Sequence, residues 1–320
     1  MQSPVNHSPA KETVSPASPS VGRGLRFGLG ELSPKQRSRL IGFVVFCAVL
    51  GVVFWRTFLG LAQLALRVEL HSHILLIPFV SAYLIWVRRD RLPREIRTSP
   101  KAALLFFIAG STAWATALIL HLPGSDHLSL MALAIGLLFT GGILLFFGRV
   151  WATAALFPLT FLLWAIPLPT GLVEFLEQTS QRGSAEAAEL FFSISGMTYV
   201  REGMLFRLPG ITLEVAQECS GIRSSLVLLI TGSFAANLLL KSTWRRWLLV
   251  LLVIPLGVLR NGFRILVLGV LSVQVGPQVL KSALHHHGGP LFFALSLVPL
   301  LAVAWWLRRQ EARTEESGGV

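Results

Sequence analysis

The chain has 320 residues, of which 53% are hydrophobic and only 14% are charged. This composition excludes an ordinary soluble protein, because soluble domains carry about 25% charged residues. The net charge of +12 would indicate nucleic acid as the partner of a soluble chain, but membrane proteins also concentrate Lys and Arg in their cytoplasmic loops. The composition therefore predicts a polytopic membrane protein that binds no nucleic acid.

The N-terminal segment, residues 1–36, is rich in Ser, Pro and Gly and has too few apolar residues to form a core. It is predicted to be a disordered cytoplasmic tail. The apolar run that follows is too long for a signal peptide, and no small-residue cleavage site ends it. We predict a transmembrane domain over residues 37–309 and a cytoplasmic C-terminal tail over residues 310–320.

Apolar stretches long enough to cross a bilayer recur along the chain, since a spanning helix needs about 20 mostly apolar residues. They predict an all-α polytopic protein with about eight transmembrane helices, at residues 40–60, 74–88, 102–121, 128–147, 150–172, 221–240, 247–272 and 289–307. The fourth and fifth are joined only by a tight turn at Gly148 and Arg149, where a re-entrant pair is the alternative. Lys and Arg cluster before the first span and in every second loop, so the positive-inside rule places both termini in the cytoplasm.

A long loop over residues 173–220 lies on the extracytoplasmic side in this topology. Its first part, LVEFLEQTSQRGSAEAAELFF, has Glu, Leu and Phe at helical spacing, which predicts a helix at the membrane interface. Its second part places the alternating segments MLFRL and ITLEVA around Pro209 and Gly210, which predicts a small β-hairpin. The hairpin leads directly into the segment QECSGIRSS.

Cys219 is one of only two cysteines and lies just before the predicted helix of the sixth span. A helix N-terminus favours the thiolate form of a nearby thiol, because free N–H groups and the helix dipole stabilise the negative charge. The alternative is a small residue at a turn with no chemical role. Cys47 lies inside the first span, where a thiol behaves as a small hydrophobic group.

Two arginines, Arg260 and Arg264, lie within the seventh span. They are four residues apart and therefore share one helical face. A charged side chain inside a bilayer is costly, so an intramembrane Arg is expected to have a function. A structural ion pair is the alternative, but no Asp or Glu falls within the predicted spans. Asn261 adds an amide to the same helix.

Three consecutive histidines, His285, His286 and His287, stand at the outer end of the eighth span. No other Cys or His stands at zinc-ligand spacing, so no metal and no other cofactor is predicted. A role in proton transfer, in which one histidine accepts and returns a proton, fits this segment better than a metal site. The topology places a thiol, a fixed cation and an imidazole at one membrane level, and thiol acyl transfer needs these three groups. His71, Ser72 and His73 face the same side and are interpreted as interface residues, with a position that lines the same site as the alternative.

These segments resemble those of the exosortase/archaeosortase family of membrane cysteine transpeptidases and proteases. The family's nucleophile segment, E-x-C-S-G-I/L-R, is matched by residues 218–223, from Glu218 to Arg223, although Glu218 stands one place closer to Cys219. The family's N-x-x-R segment is matched by residues 261–264.

The resemblance leaves the assignment of two site residues, the arginine and the histidine, open. The N-x-x-R match selects Arg264, but Arg260 lies one turn below it. The family's histidine before the last span is matched within HHHGGPLFF. The spacing to the following glycine favours His285, with His286 and His287 as alternatives.

The resemblance implies a substrate class and a mechanism at the outer face of the inner membrane. Substrates would be secreted proteins with a C-terminal sorting signal, namely a short Pro-containing motif, a transmembrane helix and a basic cluster. Cys219 would attack the scissile carbonyl, Arg264 would stabilise the oxyanion, and His285 would protonate the leaving amine and then activate an acceptor. Supporting roles would fall to Glu218, Arg223 and Asn261.

Partners other than these substrates would be membrane lipids. A membrane transporter and an assembly protein for polysaccharide export are the alternative functions. An intramembrane metalloprotease is disfavoured, because the chain lacks an H-E-x-x-H segment.

Overall fold

The computed structural model describes residues 33–93, 97–215, 221–276, 278 and 289–317. Its α-helices are α1 (Pro34–Val53), α2 (Trp55–Arg67), α3 (Ile77–Val87), α4 (Pro100–Ile119), α5 (Gly124–Phe146), α6 (Arg149–Ala154), α7 (Leu156–Phe161), α8 (Thr170–Ser195), α9 (Ile222–Leu239), α10 (Thr243–Gln274) and α11 (Gly289–Ser317). Short 3₁₀ helices cover Glu69–Leu75, Arg89–Arg91 and Leu162–Ala165. The strands β1 (Val200–Glu202), β2 (Leu205–Leu208) and β3 (Ile211–Glu214) form one antiparallel sheet in that order.

Seven helical segments of the described chain are long and apolar enough to cross a membrane. An eighth is added if Leu156–Ala165 and α8 count as one bent span. Large apolar side chains such as Val52, Phe79 and Leu105 are exposed on these helices. A bilayer would cover that apolar surface. The prediction of an all-α polytopic membrane protein with about eight transmembrane helices is confirmed.

The first helix begins earlier than the predicted span at residues 40–60. Ser33 and Gln36 form a capping box that starts α1 at Pro34, and proline is well suited to a first helical position. The last three residues of the predicted tail, 34–36, are therefore helical, whereas residues 1–32 lie outside the described part of the chain. At the other terminus, α11 continues to Ser317, beyond the predicted end of the last span.

The fifth predicted span, residues 150–172, is not one continuous helix. α6 and α7 are interrupted at Ala155, a 3₁₀ turn follows, and the chain then bends by 90° into α8. Pro158, Pro167 and Pro169 stand in this stretch. Proline lacks the N–H that an unbroken helix requires, which explains the interruption.

The predicted hairpin is present, because β2 and β3 pair with Leu208 opposite Ile211 and leave Pro209 and Gly210 as the turn. The structure adds β1, which the sequence did not predict. β1 pairs with β2 across a two-residue turn at Gly203 and Met204.

One face of the sheet packs against the helices. Phe206, Leu208 and Leu213 share a core cluster with Leu268 of α10 and Phe192 of α8. This core fixes the sheet to the C-terminal part of α10, in the same region as the sites described below.

α9, α10 and α11 form a three-helix unit. Gly232 of α9 approaches Val253 of α10 and Leu300 of α11. The same number of residues separates Gly221 from Gly232 and Gly289 from Leu300. Further along the two helices, Glu311 contacts the turn that follows α9. α9 and α11 therefore run in the same direction, and their first residues lie at the same end of the bundle.

Glu311 of α11 connects the opposite end of this unit. Its carboxylate accepts hydrogen bonds from the backbone N–H groups of Lys241 (2.9 Å) and Ser242 (2.8 Å), in the turn between α9 and α10. The side chain of Ser242, the residue before α10, makes no capping hydrogen bond. Glu311, only 8% exposed, therefore supplies an acceptor for the start of α10 from another helix.

Glu311→Ala is expected to lower the free energy of unfolding by about 2 kcal/mol, because two N–H groups at the turn lose a charged acceptor. Thermal unfolding in detergent measures the change. Glu174→Ala, at an exposed position of α8, is the matched control and should have little effect. Equal stability of the two variants would contradict the capping role.

Candidate functional site

The start of α9 is held by a side chain of α10. Gly221, the residue before α9, has a φ of +70°, in the left-handed region that favours glycine. Arg260 Nη2 donates to the Gly221 carbonyl at 3.2 Å and lies 3.2 Å from Ser225 Oγ. Arg260 is only 7% exposed. One buried guanidinium group therefore fixes the first turn of α9.

Asn261 extends these contacts to α8. Its Nδ2 donates to Ser184 Oγ at 2.9 Å, and both residues are buried. A Cβ placed on Gly221 would lie 3.0 Å from Asn261 Oδ1, so the Asn261 amide also packs closely against the glycine. We call Ser184, Gly221, Ser225, Arg260 and Asn261 the polar cluster; it joins α8, α9 and α10.

Gly262 allows the close approach of α10 to α8 beside the polar cluster. A Cβ at this position would lie 2.5 Å from Ala187 Cβ and 2.9 Å from the backbone of Ala187 and Ala188. Such distances exclude any side chain unless one helix moves. Glycine is therefore required at this position for the Asn261–Ser184 hydrogen bond to form.

The polar cluster lies about one bilayer thickness from the basic turn between α9 and α10. α9 has 18 residues and is about 27 Å long, close to the thickness of a bilayer's hydrocarbon core. Lys241, Arg245 and Arg246 follow its far end, and the polar cluster lies at its beginning. In α10, Arg260 is likewise about 26 Å along the helix from Thr243, which is again close to that thickness.

The 3₁₀ helix Glu69–Leu75 lies next to the start of α9. Arg223 in the first turn of α9 forms an ion pair with Glu69, and Leu70 packs against the core cluster that contains Leu226 of α9. His71 of this segment is only 5% exposed. The His71 side chain is therefore buried in the described fold, and its interpretation as an interface residue without a catalytic role stays a prediction.

The structure brings several of the predicted site residues together. Arg260 and Asn261 of α10 adjoin Gly221, and Arg223 lies in the first turn of α9. Arg264 lies one helical turn beyond Arg260 on the same face of α10 and is half-buried. Cys219 and Glu218, together with His285, His286 and His287, lie outside the described residues.

Chain connectivity nevertheless limits where the undescribed candidates are. Cys219 precedes Gly221 by two residues, so their Cα atoms are within about 8 Å of each other. His287 stands in the same relation to Gly289, the first residue of α11. One turn into α11, the Phe292 ring lies 6.4 Å from that of Phe263, the neighbour of Arg264. The beginnings of α9 and α11 and the arginine pair are therefore at one end of the bundle.

Sequence reasoning missed the two serines of the polar cluster. Ser184 and Ser225 are ordinary helical residues in the sequence, far from Arg260 and Asn261 along the chain. The run of small residues around Ser184, within a helix otherwise rich in Glu, Leu and Phe, is a signal that could have indicated close helix packing. Within the described residues, no group of three or more His, Cys, Asp or Glu is arranged to hold a metal ion.

Fold and site together define a multi-pass membrane protein with a buried, positively charged polar cluster at one end of its helical bundle. The family model of the transmembrane exosortases matches residues 55–302. Because this match covers most of the chain, the protein belongs to the transmembrane exosortase family, as its motifs predicted. Neither the curated proteins nor the solved structures contain a match to the chain.

Proposed function

We propose that the protein is a membrane-embedded cysteine transpeptidase or protease that acts on C-terminal sorting signals of secreted proteins. The observation that supports this function best is the buried Arg260 guanidinium group on the carbonyl of Gly221. Gly221 belongs to the C-S-G segment that contains the proposed nucleophile, Cys219. A fixed cation beside that segment is what anionic intermediates of acyl transfer require.

The electrostatic environment at the start of α9 favours negative charge. The N-terminal end of a helix carries a partial positive charge, and Arg260 adds a full one. Among the described residues, Arg260 Nη1 has no hydrogen-bond partner. An unpaired buried donor is costly, and an anion at this place would satisfy it. A Cys219 thiolate and a tetrahedral oxyanion are the two anions of the proposed reaction.

In the proposed reaction, the Cys219 thiolate attacks the carbonyl carbon of the scissile peptide bond. Arg264 stabilises the resulting oxyanion, with Arg260 as the alternative. The C–N bond then breaks, the amine leaves with a proton from His285, and the substrate's new C-terminus remains as a thioester. An acceptor nucleophile gives its proton to His285, attacks the thioester and releases the thiolate. With water as the acceptor, the product is a free carboxylic acid.

The proposed location is the inner membrane, with both termini in the cytoplasm and the polar cluster on the extracytoplasmic side. The distribution of Lys and Arg supports this orientation. A substrate with its own transmembrane helix would present the cleavage motif at the bilayer surface. The polar cluster, about one hydrocarbon thickness from the basic turn at Lys241, lies at a matching level.

Cys219→Ala is expected to abolish processing of a co-expressed secreted protein that carries such a tail, because the variant has no nucleophile. Substrate size and a hydroxylamine-sensitive thioester adduct are followed by gel and mass spectrometry. Cys47→Ala is the matched control, since Cys47 lies within α1, and it should process the substrate normally. Equal processing by Cys219→Ala and wild type would refute the proposed function.

A further inference from the structure

β3 has an open edge, and in the sequence this strand comes directly before the segment that contains the proposed nucleophile. The Val215 N–H donates to the Met204 carbonyl at 2.9 Å. Because antiparallel pairs alternate, Leu213 and Ile211 are the other residues of this part of the chain that bond to β2. The N–H and C=O groups of Thr212 and Glu214 therefore point away from β2.

Nothing in the described part of the chain pairs with this edge. The sheet order is β1-β2-β3, so β3 is an outer strand, and Thr212 and Glu214 are exposed. An unpaired strand edge is a template for another extended chain. At the opposite edge, Arg201 of β1 forms ion pairs with Glu186 and Glu189 and so ties that strand to α8.

The described residues on either side of the proposed nucleophile in the sequence are both anchored in the fold. Val215 is fully buried, and its carbonyl accepts a hydrogen bond from Gln181 of α8. Gly221 is fixed by Arg260. Cys219 lies between these two anchored residues, four positions after Val215, so their Cα atoms are within about 14 Å. An added strand rises about 3.3 Å per residue, so four or five residues cover that distance.

We propose that β3 binds the substrate: the extended segment that contains the Pro motif pairs with the outer edge of β3, and this pairing leads the scissile bond to Cys219. This inference rests on the proposed function. The occupant fits the edge chemically, because the residue before a proline is held extended. Proline itself is accepted in an edge strand when its nitrogen faces away from the neighbour. Backbone pairing holds the substrate, and the exposed face of the sheet reads alternate side chains.

Disulfide trapping tests the pairing without requiring turnover. The enzyme carries Cys47→Ser and Cys219→Ala together with Thr212→Cys or Glu214→Cys. The probe is the tailed reporter substrate with a single cysteine placed at successive positions around its Pro motif. Cross-linking under mild oxidation is expected at every second substrate position, because side chains alternate between the faces of a strand. The best position should shift by two residues between the two enzyme variants.

Val200→Cys is the matched control, at an exposed position on the opposite edge of the sheet, and it should give no alternating pattern. Yields that do not vary with substrate position, or that equal those of Val200→Cys, would overturn the proposal. A disulfide-linked dimer of the Thr212→Cys protein in place of the substrate adduct would assign the edge to a second copy of this chain, which also overturns it.

Processing of the same reporter by wild-type enzyme separates the two hypotheses. If the wild-type enzyme leaves the reporter uncut, the proposed function is refuted, and the proposal that β3 binds the substrate is refuted with it. If wild type cuts the reporter but no alternating cross-links form, only the edge proposal fails. Thr212→Pro, which removes an outward N–H, should raise KM by about fivefold relative to Thr212→Val, since one net hydrogen bond is lost.

Discussion

Arg264→Lys is expected to slow substrate processing by about a hundredfold or more while leaving the protein folded. A guanidinium group presents several N–H donors in a fixed plane, whereas an ammonium group is a compact charge on a flexible stem. Loss of one directed donor to an oxyanion costs about 10²–10³ in rate. The measurement is the initial rate of substrate cleavage in membranes at equal enzyme content.

Arg260→Lys is the matched comparison on the same face of α10. Arg260 holds Gly221 and Ser225 through a single nitrogen, and lysine keeps the charge but not this geometry. We expect a smaller loss of rate, about tenfold, accompanied by a lower melting temperature. The opposite result is that Arg260→Lys is the slower enzyme and melts like wild type. That result would assign the proposed oxyanion stabilisation to Arg260 instead of Arg264.

Most of the helical architecture could be predicted, because an apolar run of bilayer length is stable only as a membrane-spanning or buried helix. What the sequence concealed are the interruptions. No proline marks the break at Phe54 between α1 and α2, and the nearest glycine, Gly51, lies within α1. The break depends on packing, since Phe54 is buried against Met131 and Ala117. β1 is only three residues long, too short for a period of two to be recognisable.

At the site, too, local sequence indicated the candidate residues, whereas their long-range contacts could not be predicted. The cost of a charge in a bilayer indicated Arg260 and Arg264 as candidate functional residues from the sequence alone. The partners of Arg260 could not be identified, because Ser225 and Gly221 meet it only through the antiparallel packing of α9 on α10. The burial of His71 likewise depends on neighbours that no local pattern reveals.

Gly262→Ala is expected to be the most destabilising single-methyl substitution near the site, lowering the free energy of unfolding by about 3 kcal/mol. Alanine normally stabilises a helix by about 1 kcal/mol relative to glycine, so any loss must come from packing. The new Cβ would lie 2.5 Å from Ala187 Cβ and 2.9 Å from the α8 backbone. α8 and α10 can accommodate the added methyl group only by moving apart, and overpacking of this kind costs about 1–3 kcal/mol or more.

The same displacement should reduce activity, because Asn261 adjoins Gly262 and its hydrogen bond to Ser184 links α8 to the polar cluster. Gly136→Ala, in the interior of α5 with no atom within 4 Å of the new Cβ, is the matched control and should be neutral or slightly stabilising. Melting temperature and processing rate are measured for both variants. A Gly262→Ala protein that melts and processes substrate like Gly136→Ala would show that α8 and α10 do not depend on this close approach.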